Sequence, residues 1–263
     1  MGRMDWQSFY AERGQRTRPL LIAHRGVPGA LPENSLAAFA LALEQGADVL
    51  ETDLRVTQDG EIVLFHDHSL TRMTDGSGPL FVESLRDLKQ LRLRSPQGTW
   101  TSERVPTLVE LLEMTQGNVP LLLELKDVRF FQPRHAEQLV RLLTDHGVLA
   151  KTAIISFNAA LVAAVRRVAP SIPTGVVTLT HLVPPRHGEL VGPIWPLLYA
   201  NPLFVRMAHS RGQLVAPLDT TPERRMGYYL RLGVDAVLAD NPAAALAAML
   251  AHARPMDKGS TAA

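Results

Sequence analysis

The sequence predicts an α/β fold: a TIM-type (β/α)8 barrel with a small insertion after the second strand region. Three observations predict it. Short apolar runs alternate with segments of helical periodicity, the pattern of a parallel sheet covered by helices. Several runs end in polar residues, namely His24-Arg25, Glu51-Thr52-Asp53, His66-Asp67 and Glu124-Leu125-Lys126, as in barrels whose strand carboxyl ends converge on one mouth. The rival doubly wound sheet lacks its usual Gly-rich phosphate loop after the first strand.

The first strand spans Leu20 to Ala23. A helix follows Pro32-Glu33-Asn34, capped by Asn34 or Ser35, with Leu36, Phe39, Ala40 and Leu43 on one face and Gly46 ending it. The strand Val49 to Val56 comes next. Asp59-Gly60 has the signature of a two-residue hairpin turn, and pairing Gln58 with Glu61 sets Asp53 opposite His66. Residues 68–104 read as the insertion, whose Trp100 either packs within it or covers the mouth. Thr107-Leu-Val-Glu110 is a capping box that opens a helix to about Thr115.

Val119 to Leu125 is a strand, Ala136 to His146 a helix stopped by Gly147, and Ala153 to Ser156 a strand. Asn158 caps a helix striped by Val162, Val165 and Val168, and the strand Thr174 to Thr178 follows. Residues 181–196 read as an irregular Pro-rich region; over 181–205, Trp195, Tyr199 and Phe204 serve either as packing or as a greasy wall for a lipid chain. Gln213 to Leu218 is a strand, Thr221-Pro222 a helix start, Val234 to Ala239 the last strand, and a closing helix runs from about Pro242. The tail from about Pro255 is expected to be mobile. His135 and His146 read as surface residues, and His209 and His252 as lacking polar companions.

At 263 residues and 46% hydrophobic, the chain suits one large barrel domain over its whole length. Lys+Arg 27 against Asp+Glu 26 leaves a net charge of +1, too weak a field to predict nucleic acid as a partner. There is no cysteine, so disulfides, thiolate nucleophiles and Cys-ligated zinc are excluded. The charged N-terminus lacks the core of a secretory signal, and Trp6 breaks the myristoylation pattern. The uncharged stretch Leu190 to Val205 is shorter than the roughly 20 residues of a spanning helix, and prolines interrupt it. A cytoplasmic protein with no transmembrane segment is expected. The sequence assigns no oligomeric state.

Glu51 and Asp53 are two apart on a strand, so both carboxylates face one side. Like charges that close repel unless a cation or a shared proton lies between them. Oxygen ligands without thiolates predict one hard divalent ion, magnesium or calcium. His24 and His66 bring imidazoles, and Arg25 brings a planar fork suited to phosphate oxygens. Lys126, two after Glu124, adds a point charge on the same face. This set suits phosphodiester hydrolysis, one histidine activating the attacking oxygen and the other protonating the leaving alcohol.

In these residues the chain resembles the glycerophosphodiester phosphodiesterase family. The matching stretches are His24-Arg25-Gly26, Pro32-Glu33-Asn34, Glu51-Thr52-Asp53, Asp59-Gly60, His66-Asp67 and Leu70-Thr71-Arg72 with Thr74. Further matches are Val105-Pro106-Thr107-Leu108, Glu124-Leu125-Lys126, Ser156-Phe157-Asn158 and Gly233-Val234-Asp235, in family order over nearly the whole chain. The resemblance implies a TIM-type barrel, a magnesium or calcium ion on Glu51, Asp53 and Glu124, and His24 and His66 in acid/base work. It also implies Arg25 and Lys126 on phosphate, and small glycerophosphodiesters cut to glycerol 3-phosphate and an alcohol. Where the family usually reads Val-Trp-Thr-Val-Asn, this chain has Val215-Ala216-Pro217-Leu218-Asp219, which loses a Trp that walls the substrate pocket.

The alternatives are lysophospholipase D or sphingomyelinase D-like cleavage, a phosphate-binding barrel without turnover, and a zinc site on His66-Asp67-His68. The last would need its His pair on the first strand, which offers only His24.

Overall fold

The computed structural model describes residues 16–252. The N-terminal segment and the tail from about Pro255, both read from sequence above, lie outside the described residues. β1 (Leu20–His24) leads through α1 (Leu36–Glu44) to β2 (Val49–Val56) and β3 (Ile62–Leu64). The insertion carries short 3-10 turns and α2 (Leu85–Leu88). Then come α3 (Leu108–Thr115), β4 (Leu121–Leu125), α4 (Pro133–Asp145), β5 (Thr152–Ser156), α5 (Ala159–Val168) and β6 (Thr174–Thr178). The chain continues with β7 (Leu190–Pro193), α6 (Trp195–Ala200), α7 (Phe204–Ser210), β8 (Leu214–Val215), α8 (Met226–Leu232), β9 (Ala236–Ala239) and α9 (Pro242–His252). No helix among the described residues is long and apolar enough to cross a membrane.

The predicted barrel is present. Eight parallel strands run in the order β8-β7-β6-β5-β4-β2-β1-β9, and β3 hangs antiparallel on β2. Asp235 nearly closes the ring. Its N–H donates to the Val215 carbonyl (3.0 Å), its carboxylate accepts from the Val215 N–H (2.7 Å), and its carbonyl accepts from Leu20 (3.0 Å). That carboxylate also lies 2.8 Å from His209 Nε2, so His209 does have a polar companion.

Period-2 alternation divides each strand between two cores. Leu50, Leu54, Leu121, Leu123 and Leu125 pack outward against the helices. Leu20, Ile22, Val49, Leu122, Leu190 and Leu238 fill the barrel. One step further along the inward rows stand His24, Glu51 and Glu124, so the apolar filling ends where the polar site begins.

Capping follows local chemistry. Ser35 rather than Asn34 caps α1, accepting from the Ala38 N–H (3.1 Å), and Asn158 caps α5. Thr107 and Glu110 form the expected capping box. Thr221 caps nothing with its side chain, because its N–H and hydroxyl both turn to Asp219. The Pro-rich region is more regular than predicted. Pro193 ends β7 and Pro196 lies in the first turn of α6, two places where proline costs no hydrogen bond. Phe204 is buried, while Trp195 lies edge-on to Tyr199 and under the Arg225 guanidinium, so packing accounts for these contacts. β8 is shorter than the predicted strand, since Pro217 has no N–H for the ladder.

Two histidine and register expectations fail. His135 is buried on α4, not on the surface. The hairpin register is also one residue off: Leu54 pairs with Leu64 and Val56 with Ile62, so Asp53 lies opposite Phe65, whose N–H donates to the Asp53 carbonyl at 2.9 Å. The turn takes three residues rather than two. Thr57 pairs with Glu61, and Gly60 sits at φ 92°, the left-handed position that a three-residue hairpin demands.

Candidate active site

The loop after β1 begins with two consecutive left-handed residues, Arg25 (φ 55°) and Gly26 (φ 85°). Gly26 is required by close approach, since a Cβ there would lie 2.6 Å from the Ala38 backbone carbon. Arg25 carries strain that a non-glycine residue rarely accepts, and its contacts hold it there. Its N–H donates to the Glu51 carbonyl (3.1 Å), Nε lies 3.0 Å from Asp53 Oδ2, and Nη1 reaches Glu33 Oε1 at 3.2 Å. Asn34 (φ 57°) donates to Asp53 Oδ2 (3.0 Å) and accepts from Thr52 Oγ1 (2.7 Å), so the loop is fastened to β2.

Parallel register sets His24 beside Glu51, and Asp53 beside Glu124. Glu51, Asp53 and Glu124 are all buried, and each offers an oxygen within 4.8 Å of the others. Asp53 Oδ1 and Glu124 Oε1 accept no well-directed hydrogen bond. Among the described residues the Lys126 ammonium faces them, at 3.5 and 2.6 Å. Burial, then repulsion from Asp53 and Glu124, pushes the Glu51 carboxyl well above the ordinary carboxylate range. Burial acts the same way on Asp53, but Arg25 and Lys126 outweigh it and hold that group low. Burial also raises Glu124 in spite of Lys126. An all-oxygen cluster, short of cations and partly unsatisfied, fits a hard divalent ion.

His66 reaches the same mouth despite the changed register, because the chain leaves the ladder after Leu64. The Arg55 fork fixes it there, donating from Nε (2.9 Å) and Nη2 (2.7 Å) to the His66 carbonyl and from Nη1 (3.3 Å) to that of Lys126. His66 Nδ1 lies 2.7 Å from Asp67 Oδ1. Burial lowers the His66 pKa; Asp53 opposes this, and Arg25 and Lys126 add to it. Arg72 binds both Asp67 and Glu33, and against the effect of burial its hydrogen bond brings Asp67 down to about 2. His24 Nδ1 lies 2.7 Å from Asp240 Oδ1. Each imidazole is thus oriented by a carboxylate on Nδ1, leaving Nε2 for chemistry.

All seven sequence-predicted site residues, His24, Arg25, Glu51, Asp53, His66, Glu124 and Lys126, meet at this mouth. Asp240, Asp67, Arg72 and Arg55 were missed as site partners. Asp240 directly follows an apolar strand and Arg55 continues the i, i+2 row of Glu51 and Asp53, so both signals lay in the sequence. His68 packs at a tilt against Phe81 (centroids 5.3 Å) and joins no candidate metal cluster among the described residues. An apolar cavity touches His24, Glu51 and Glu124, with Ala216, Pro217 and Leu218 in its wall.

Residues 24–244 match the model of the glycerophosphoryl diester phosphodiesterase family. A glycerophosphodiester phosphodiesterase from Caldanaerobacter subterraneus is 31% identical over 231 residues, covering 86% of this chain and 95% of that relative. A solved phosphodiesterase from Oleispira antarctica, in complex with the product sn-glycerol-3-phosphate, is 28% identical with a TM-score of 0.75, covering 88% of this chain and 97% of that one. A structure from Silicibacter pomeroyi superposes with a TM-score of 0.78 at 24% identity over 91% of this chain and 97% of its own, a likeness of fold.

Proposed function

The chain belongs to the glycerophosphoryl diester phosphodiesterase family of enzymes, and from that premise we propose that it hydrolyses glycerophosphodiesters to glycerol 3-phosphate and an alcohol with one divalent ion, magnesium or calcium. The observation that carries this reading is the meeting of Glu51, Asp53 and Glu124 within 4.8 Å, flanked by two carboxylate-oriented histidines. Those three residues would hold the ion. When bound, it neutralises charge that builds on the phosphoryl oxygens.

The other groups act from their own positions. Arg25 and Lys126 each have donors beyond those spent on carboxylates, and these hold the phosphoryl oxygens. His24 and His66 divide the proton transfers: one removes the proton of the attacking oxygen, and the other delivers a proton to the leaving alcohol. Asp240 and Asp67 keep each ring oriented. The charge balance and the lack of cysteine support a cytoplasmic enzyme acting on small substrates.

The test is release of glycerol 3-phosphate from a panel of glycerophosphodiesters with magnesium, calcium and manganese in turn. Activity abolished by chelation and restored by one of these ions is expected. Turnover unaffected by chelation would remove the metal from the reading. Binding of phosphate without turnover on any member of the panel would favour a barrel that has lost its chemistry.

A further inference from the structure

The insertion is the part of the chain that the chemistry above leaves unused. It has a small core of its own, Leu70, Leu80, Leu88 and Leu93 packed on Val63 and Phe65 of the hairpin. One edge of it, His68, Leu80 and Phe81, faces Asp127, Val128 and Arg129 of the loop after β4 across a cavity of about 240 Å³, with Arg55 and Lys126 also lining it. The loop after β4 follows the carboxyl end of a barrel strand, and Lys126, which reaches Glu124 and Asp53, lines the cleft, so the cleft opens on the catalytic side of the barrel.

We propose that this cleft receives the alcohol portion of the substrate and selects an uncharged or anionic alcohol over a cationic one such as choline. The inference rests on reading the site as a phosphodiesterase. Lys126 belongs to both places: it lines the cleft and reaches Glu124 and Asp53, so an alcohol esterified to a phosphate held there is one side chain away.

Charge decides the selection. Arg55, Lys126 and Arg129 line the cleft against one carboxylate, Asp127. That carboxylate is committed to Arg129 (2.7 Å) and to the Val56 N–H (3.2 Å). Lys126 pairs with Glu124 and Asp53 and Arg129 with Asp127, whereas each Arg55 donor ends on a carbonyl oxygen, so Arg55 is the lining cation that no carboxylate hydrogen-bonds directly. A quaternary ammonium would instead need an open aromatic face. Phe81 has the Arg129 guanidinium 5.9 Å above its ring and His68 at 5.3 Å, and Phe157 lies under Lys126 at 5.1 Å. The rings that could hold choline already hold the chain's own cations.

The experiment compares kcat/KM of the full-length, metal-loaded enzyme on glycerophosphoinositol, glycerophosphoglycerol and glycerophosphocholine. The uncharged alcohols are expected to lead choline by about tenfold at low salt, and the gap should narrow as rising ionic strength screens the cleft. Val128 lines the cleft and is 66% exposed, so Val128→Glu adds a carboxylate without emptying a core. It should raise choline relative to inositol by about fivefold, while the uncharged Val128→Gln keeps the parental ratio. Choline turned over as well as inositol by the parent, or a ratio that Val128→Glu does not move, overturns the proposal. A parent that hydrolyses none of the three, metal-loaded, overturns the phosphodiesterase reading and this inference with it.

Discussion

The Lys126 ammonium lies 2.6 Å from Glu124 Oε1, held among three buried carboxylates by a residue only two positions along the same strand. With Arg25, which serves Asp53, it offsets the charge of the oxygens that would hold a metal, and its removal exposes their mutual repulsion. Lys126→Met should therefore destabilise the metal-free protein by about 1–3 kcal/mol. A divalent ion should restore most of that loss, while turnover stays low. Thermal unfolding with chelator and with excess ion measures both; a melting temperature equal to the parent's in chelator would show that the pair carries no such weight.

Glu51 has its pKa raised by burial and by Asp53 and Glu124. A carboxyl raised in the folded state contributes stability that is present below the unfolded value of 4.5 and is lost as pH rises through the folded value. Metal-free parent should thus lose stability as pH climbs above about 4.5, and Glu51→Gln should flatten that decline. The same variant should bind divalent ions at least about tenfold more weakly and recover part of its activity at excess metal. Chelated samples melted across the pH range decide it, and a decline as steep in Glu51→Gln as in the parent would contradict the assignment.

His24→Ala and His66→Ala should each lower kcat by about 10²–10⁴, and added metal should not rescue either. Combined, the losses should be less than multiplicative, because groups that act as a unit are non-additive. Asp240→Asn should lower kcat by about tenfold or more with an almost unchanged KM, since only the orientation of His24 is lost. Near-normal turnover in either histidine variant would remove that residue from proton transfer.

Arg55 touches neither the carboxylate cluster nor an imidazole ring, yet its fork joins the backbone of His66 to that of Lys126. Arg55→Lys keeps the charge and loses the fork. We expect kcat to fall by about tenfold or more, with the histidine limb of the pH profile displaced as His66 relaxes from its burial. An unmoved pH profile together with a lowered melting temperature would make Arg55 a structural residue only.

Much of the site could be read locally. The period of two along a strand commits Glu51 and Asp53 to one face wherever the strand lies, and it carries Glu124 and Lys126 together in the same way. Capping boxes and strand-end polar residues are equally local, which is why the elements around β1, β2, β4 and β5 were anticipated to within a few residues. The hairpin register was not, because Thr57-Gln58-Asp59-Gly60 suits a two- or a three-residue turn. The choice lies in the conformation of Gly60 and in Leu54, Val56, Ile62 and Leu64 reaching one core.

What the sequence determined by itself is the alternation of apolar filling and polar strand ends, and hence a barrel whose mouth gathers carboxylates, imidazoles and cations. What only the tertiary structure decided is who meets whom across the ring: Asp240 on His24 over 216 residues, Arg72 on Glu33 over 39, and Lys126 between Asp53 and Glu124. The physical reason is range. Side-chain direction follows from the backbone period of a few residues, whereas those pairings exist only once eight strands have closed and water has left the carboxylates, which makes each charge depend on partners distant in the chain.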